Sequence, residues 1–307
     1  MPFDSSLTAT EIAAQPAAWR RAAEEAGAAP APALPRPGER VAVTGCGTSW
    51  FMALAYAALR EAAGQGETDA FPASSFPVHR DYQRVVAISR SGTTTEVARL
   101  LTELRARRPG VPLLALTADG STPVGEAATH TVVLDWADER SVVQTVFATT
   151  ALAYLRAALE AEGSGLAPVE EAALDAEAAL VRPLPDAALA AGQWTFLGGG
   201  WTYGLALEAA LKMREAAGGW TEAYPSMEYR HGPVAIAGQG RAVWLFEAAP
   251  DGVSERVRSA GGSLLGPPEG DPLANLVLAQ RLAVAVARAR GLDPDRPRGL
   301  TRSVILP

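Results

Sequence analysis

The stretch Val41-Ala42-Val43-Thr44-Gly45-Cys46-Gly47-Thr48-Ser49 decides the fold. Residues 41–45 are a short, β-branched apolar run, the pattern of a buried strand. The glycines that follow allow a sharp turn, and the Ala/Leu-rich segment to about Gly64 reads as a helix. The same order then recurs. Residues 84–89 (RVVAIS) predict a second strand, a polar turn follows, and a helix is expected from Glu96 to about Arg107. Residues 112–117 (PLLALT) and 130–135 (HTVVLD) predict a third and a fourth strand, and a long helix is expected from about Ser141 to Ala161. Strands alternating with helices call for a mostly parallel sheet covered on both faces. Ligands of such sheets sit beyond the carboxyl ends of the strands, where both polar turns lie.

The second half of the chain repeats the first. In TFLGGG (195–200), Gly198 and Gly200 stand 153 residues after Gly45 and Gly47. Arg60–Gly64 (REAAG) recurs as Arg214–Gly218, and RAVWLF (241–246) answers RVVAIS. The expected fold class is therefore α/β, with two tandem flavodoxin-like three-layer αβα domains built on mostly parallel sheets. The expected boundaries are an N-terminal helix and Pro/Ala-rich arm at 1–38 (ending APAPALPRPG), a first domain at 39–165, a second at 166–290 and a tail at 291–307. A linker is read at GSGLAP (163–168), a Gly/Pro-rich loop at 262–272 and a last helix from about Pro272 to Gly291.

Composition narrows the function. Of 307 residues, 48% are hydrophobic and 20% charged, enough to bury a normal core and too apolar for wholesale disorder. No apolar run reaches the ~18 residues of a membrane span. The opening MPFDSSLTATEIAAQ lacks the basic start and apolar core of a secretory signal, so a cytoplasmic location is expected. A net charge of −7 argues against nucleic-acid and anionic-membrane partners. The lone Cys46 excludes an internal disulfide framework, and His79, His130 and His231 are too scattered for metal-ligand spacing, so no metal or organic cofactor is expected. His79 and His130 read as surface or strand-end residues. Lys212 is the one lysine among 27 basic residues. Where arginine has replaced lysine so thoroughly, a retained lysine invites a chemical reason.

Three constellations carry chemistry. In Ser89-Arg90-Ser91-Gly92-Thr93-Thr94, hydroxyls and free backbone N–H groups meet a helix start, which suits a phosphate dianion. Thr93-x-x-Glu96 also reads as a capping box, which needs no ligand. Gly45–Ser49 is a weaker anion signal and lacks the third glycine of a dinucleotide fingerprint. Glu208, Lys212 and Glu215 share one helix face. Finally, His231 lies in Glu228-x-x-His231-Gly232-Pro233, a loop from which a side chain is free to point into a cleft.

Taken together, Gly45–Ser49, Ser89-x-Ser91-Gly92-x-Thr94, Leu207-Glu208-x-x-Leu211-Lys212-x-x-Glu215 and Glu228-x-x-His231-Gly232-Pro233 resemble the sugar isomerase (SIS) double-domain family. They are most like the isomerase half of glucosamine-6-phosphate synthase and the stand-alone amino-sugar-phosphate deaminases and isomerases. Glu11-Ile12-x-x-Gln15-Pro16 and Asp293-x-Asp295-x-Pro297-Arg298-x-Leu300-x-Arg302-Ser303-Val304 extend the resemblance to both ends.

The resemblance implies a phosphorylated sugar held by Cys46, Gly47, Thr48, Ser49, Ser89, Arg90, Ser91 and Thr94, with Val142, Gln144 and Arg302 at its sugar end. It implies Glu215 as the base moving a proton between C1 and C2, Lys212 beside the developing charge, and His231 assisting ring opening, reaching in from the partner of a homodimer. The tail would lie over the active site. The departures are also specific. Neither a glutaminase domain nor ammonia channelling is expected. Arg302 stands where the family's synthases carry a Schiff-base lysine, Gln144 where they carry serine, and Arg90 where glutamine is usual. Arginine stays protonated and cannot form an imine. Two readings follow: a phosphosugar isomerase, with or without deamination, or a sugar-phosphate-binding regulator without turnover.

Overall fold

The computed structural model describes residues 6–28, 34–266 and 269–306. Residues 29–33 of the Pro/Ala-rich stretch and 267–268 of the Gly/Pro-rich loop lie outside the described residues. In chain order the elements are α1 (Leu7–Ala28), β1 (Val41–Gly45), α2 (Thr48–Ala62), β2 (Thr68–Pro72), β3 (Arg84–Ile88), α3 (Thr95–Arg107), β4 (Leu113–Thr117), α4 (Pro123–Ala127), β5 (His130–Val133) and α5 (Val146–Ala161). They continue with α6 (Val169–Val181), α7 (Asp186–Leu189), β6 (Gln193–Gly198), α8 (Thr202–Ala217), β7 (Trp220–Pro225), β8 (Arg241–Leu245), α9 (Val253–Ser259), β9 (Ser263–Leu265) and α10 (Pro272–Ala289). The described residues thus form a mixed α/β fold with two parallel sheets. None of their helices is long and apolar enough to cross a membrane.

Two compact units divide the chain. One holds β1–β5 and comprises Ala17–Arg140, Val146–Glu170 and the residues from Thr301 onward. The other holds β6–β9 and comprises the residues up to Pro16, Ser141–Thr145 and Glu171–Leu300.

In the β1–β5 unit the strand order is β2-β1-β3-β4-β5, every pair parallel, with Val41 opposite Thr68 on one side and Arg84 on the other. Strand order reverses between β1 and β3, which makes the crevice beyond their carboxyl ends the switch point. The sheet face bearing Ala42, Val85, Ala87, Leu113 and Ala115 is covered by Val97, Leu100, Leu101 and Leu104 of α3. Those α3 positions follow the three- and four-residue spacing of a helix face. In the β6–β9 unit the order is β7-β6-β8-β9, again all parallel, with the reversal between β6 and β8.

Two local features of the β1–β5 unit have counterparts in the β6–β9 unit. Gly47 and Gly200 both adopt positive φ, 55° and 53°. Arg60 donates to Thr68 Oγ1 at 2.7 Å, and Arg214, 154 residues later, donates to Thr221 Oγ1 at 2.9 Å.

The structure corrects three expectations. The fifth helix begins at Val146, not Ser141. The buried Glu139 carboxylate accepts from Val146 N (3.0 Å) and Phe147 N (3.3 Å) and so fixes the helix start there, while Ser141 N is drawn to Glu11. Thr93 makes no capping box. The capping position is Thr94, without a side-chain cap, and the Thr93 hydroxyl turns instead to Ser91 and Ser303. Finally, β2, β7 and β9 are additional strands at sheet edges. In α1, Pro16 has no N–H for the Ile12 carbonyl. The Gln15 side chain donates to that oxygen (3.0 Å) and to Gln280 (2.7 Å), which keeps the helix continuous.

Gly92 is the position least tolerant of a side chain near the turn. Its φ is +61°, and an added Cβ would lie 1.9 Å from Thr122 Oγ1. Gly92→Ala is expected to lower unfolding stability by about 2–4 kcal/mol, combining left-handed strain with overpacking. Gly110→Ala, with nothing within 4 Å of its Cβ, is the control. Equilibrium urea unfolding checks both, with Gly110→Ala expected within about 0.5 kcal/mol of the parent.

Candidate active site

In the β1–β5 unit both polar turns stand at the switch point. After β1, a Cβ on Gly45 would lie 2.7 Å from Ser49, so the chain can enter α2 only with glycine there. Thr48 and Ser49 are buried in the first turn of α2. Burial, and secondarily the nearby Glu96 charge, raises the Cys46 thiol to about 11. After β3, Ser89 and Arg90 are buried, and the Ser89 hydroxyl has no hydrogen-bond partner among the described residues. The Arg90 carbonyl accepts from Ala118 N at 3.1 Å, and the Gly92 carbonyl from Val124 N at 2.9 Å. The turn is thereby moored to the loop that follows β4 and to the start of α4.

The end of the chain docks on this turn. Arg90 Nη2 donates to the Arg302 carbonyl at 2.7 Å. Ser303 Oγ lies 3.1 Å from Ser91 Oγ and 2.9 Å from Thr93 Oγ1. Thr95 N donates to the Val304 carbonyl (3.2 Å), and Leu306 N donates to Thr95 Oγ1 (2.9 Å). The Arg302 guanidinium pairs with the Asp138 carboxylate and donates to the Glu139 carbonyl. The Arg90 guanidinium lies 3.7 Å from the Glu139 carboxylate, both side chains being almost fully buried. Glu139 therefore ties together the turn, the start of α5 and the tail. Its acidic position just upstream of a helix was the sequence signal for that role. The docking of Ser303 gave no local signal, because its partners lie some two hundred residues away.

The β6–β9 unit holds the Glu208, Lys212 and Glu215 cluster. On α8, Lys212 Nζ lies 3.4 Å from Glu208 Oε1 and 2.5 Å from Glu215 Oε2. The side chains of Lys212 and Glu208 are 1% exposed, that of Glu215 18%. Glu215 is thus the carboxylate of the trio that reaches accessible space. It lines a cavity of about 580 Å³ between the end of α8 and the segment after α10. Arg214, Arg290, Arg296 and Arg298 line the same cavity, so anions are favoured there. Ser141–Thr145, with the half-buried Val142 and Gln144, belongs to this unit. His231 is exposed on the loop after β7. His79 and His130 are exposed too, as expected. The structure thus brings Ser89–Thr94 together with Arg302 in one unit, and joins Lys212 to Glu215 in the other.

Known proteins share parts of this sequence and this fold. Residues 36–161 match the SIS domain model. The glutamine–fructose-6-phosphate aminotransferase (isomerizing) of Gloeobacter violaceus is 28% identical over 87% of this chain and 52% of its own length. That of Methanothermobacter thermautotrophicus is 27% identical over 87% and 51%. The chain therefore spans about half the length of the curated relatives it matches. Among solved structures, glucosamine-6-phosphate deaminase from Thermotoga maritima aligns with a TM-score of 0.82 and 25% identity, covering 98% of this chain and 100% of that one. Tagatose-6-phosphate ketose/aldose isomerase from Escherichia coli shares the fold, with a TM-score of 0.78 and 21% identity over 99% and 96%. Residues 36–161 are a SIS domain, and the chain is homologous to the isomerase domain of glutamine–fructose-6-phosphate aminotransferase.

Proposed function

We propose that this protein is a phosphosugar isomerase, acting on a hexose or hexosamine 6-phosphate by aldose–ketose isomerisation, with or without loss of the amine. The observation that carries the reading is the Lys212–Glu215 couple, a carboxylate at a cavity wall backed by a buried ammonium group. Moving a proton between C1 and C2 needs one carboxylate beside those carbons and a cation or hydrogen-bond donor at the oxyanion that develops. In this reading Glu215 takes and returns the proton, and Lys212 steadies the enediolate. His231 assists ring opening from the partner subunit of a homodimer. The phosphate is held by Thr48, Ser49, Ser89, Ser91 and Thr94, with backbone donors from Cys46 and Gly47. The unpartnered Ser89 hydroxyl supports that assignment. Val142 and Gln144 line the sugar end. We read the two units as two copies of one αβα domain, on the strength of the repeated glycine turns and Arg–Thr contacts. A cytoplasmic location fits this chemistry.

Arg302 favours a second reading, a sugar-phosphate-binding regulator without turnover. Its guanidinium is engaged with Asp138 and offers no amine for an imine.

Isomerisation through Glu215 predicts that fructose 6-phosphate or glucosamine 6-phosphate incubated in D2O gains deuterium at C1 or C2. Glu215→Gln is expected to slow exchange on the order of 10²–10⁴-fold while leaving sugar-phosphate binding intact. Mass spectrometry and titration calorimetry measure the two. Tight binding with no exchange, no ketose and no ammonia from the parent would select the regulator.

The raised Cys46 thiol gives a pH test. An ordinary thiol titrates near 8.5 and is mostly thiolate at pH 9.5. Cys46, raised to about 11, stays protonated there. Alkylation by iodoacetamide is expected to stay slow through pH 9.5 in the folded protein and become fast in urea. Rapid labelling near neutral pH would contradict the assignment.

A further inference from the structure

We propose that the C-terminal tail is an internal occupant of the Ser89–Thr94 turn, so that Ser303 competes with an incoming phosphate instead of closing over it. The inference rests on the reading of that turn as a phosphate site. Ser303 Oγ now stands 3.1 Å from Ser91 Oγ and 2.9 Å from Thr93 Oγ1, within hydrogen-bond reach of both hydroxyls and in a place that a phosphate oxygen held by the two would take. Thr95 N, a donor at the start of α3, is already given to the Val304 carbonyl. The Arg90 cation, which would complement an anion, is turned to the Arg302 carbonyl and the Glu139 carboxylate. A lid would leave these donors open and touch the phosphate from outside. This tail takes them.

The docked tail is also built to leave. Val304, Ile305 and Leu306 are 53%, 70% and 44% exposed, so little apolar surface holds it down. What holds it is polar: three hydrogen bonds and two close hydroxyl contacts with the turn and Thr95, and the Arg302–Asp138 pair, both of whose side chains are partly exposed. Gly299, at φ +69° with nothing within 4 Å of an added Cβ, precedes the docked segment and can absorb its rotation. A phosphate offers the turn stronger, charge-assisted bonds than a serine hydroxyl does, so substrate wins the exchange when concentrated enough.

The test is titration calorimetry with inorganic phosphate and with fructose 6-phosphate on four proteins. These are the full chain, a chain ending at Leu300, Ser303→Ala, and the double variant Ser91→Ala/Thr94→Ala, each checked for a parent-like melt. The shortened chain is expected to bind both ligands about tenfold tighter, the factor released if the tail is docked nine-tenths of the time. Ser303→Ala should move the same way by a smaller factor. If the shortened chain fails to fold, Ser303→Ala decides alone. Unchanged or weaker binding on removing the tail or its hydroxyl, while the double variant loses affinity, overturns the competing tail and leaves the phosphate turn standing. No phosphate binding in any protein, or full binding by the double variant, removes the phosphate turn and the competition with it.

Discussion

A Cβ on Gly45 would lie 2.7 Å from Ser49, and one on Gly198 would lie 2.3 Å from the Thr202 carbonyl oxygen. Both glycines end the strand around which their sheet reverses order, and both must let the following helix pass within contact distance. Only glycine satisfies that approach. The consequence is directional. Each helix starts hard against its strand, its first polar residues stand at the switch point, and the neighbouring turn, after β3 or β8, faces the same crevice. The rest of the architecture places different side chains at these two corners.

The corners differ in charge and in donors. After β3 the chain reads Ser89-Arg90-Ser91-Gly92-Thr93-Thr94, hydroxyl-rich and held by the loop after β4. After β8 it reads Phe246-Glu247-Ala248-Ala249-Pro250, with no hydroxyl. There the Glu247 carboxylate stands over the glycine turn, 2.5 Å from where a Cβ on Gly199 would be. A carboxylate in that place repels a second anion. The β6–β9 unit instead carries a charged cluster on the helix that leaves the turn, Glu208, Lys212 and Glu215.

The strands read from the sequence include the three buried on both faces, and also the largely exposed edge strand β5, whose Thr-Val-Val run is β-branched. β1, β3 and β4 are fully buried and read as continuous apolar runs. The edge strands β2 (TDAFP) and β7 (WTEAYP) are mostly half-buried, mix polar and aromatic residues and end in proline, so neither periodicity nor composition announced them. The start of α5 was misplaced because a tertiary cap, Glu139, overrode a continuous helical pattern. At the candidate site, hydroxyls beside a helix start and a lysine flanked by glutamates are local patterns and were read directly. The Ser91–Ser303 contact joins residues more than two hundred apart, a separation across which spacing carries no information.

Lys212 shows why one lysine persisted where arginine stands at every other basic position. Its ammonium group is 1% exposed and lies between two carboxylates of its own helix, 3.4 Å and 2.5 Å away. An ammonium is a compact charge with three donors, and two acceptors nearly satisfy it. A guanidinium is larger, with five donors in a fixed plane. In the same space it would displace apolar neighbours or leave buried N–H groups unpaired. Removing the cation altogether would take away the ion pair of Glu208, whose side chain is itself 1% exposed. The pair also divides the two carboxylates by burial. Glu208 is sealed with the lysine, whereas Glu215 keeps 18% of its side chain exposed at a cavity wall. One carboxylate therefore holds the cation in place and the other meets whatever enters.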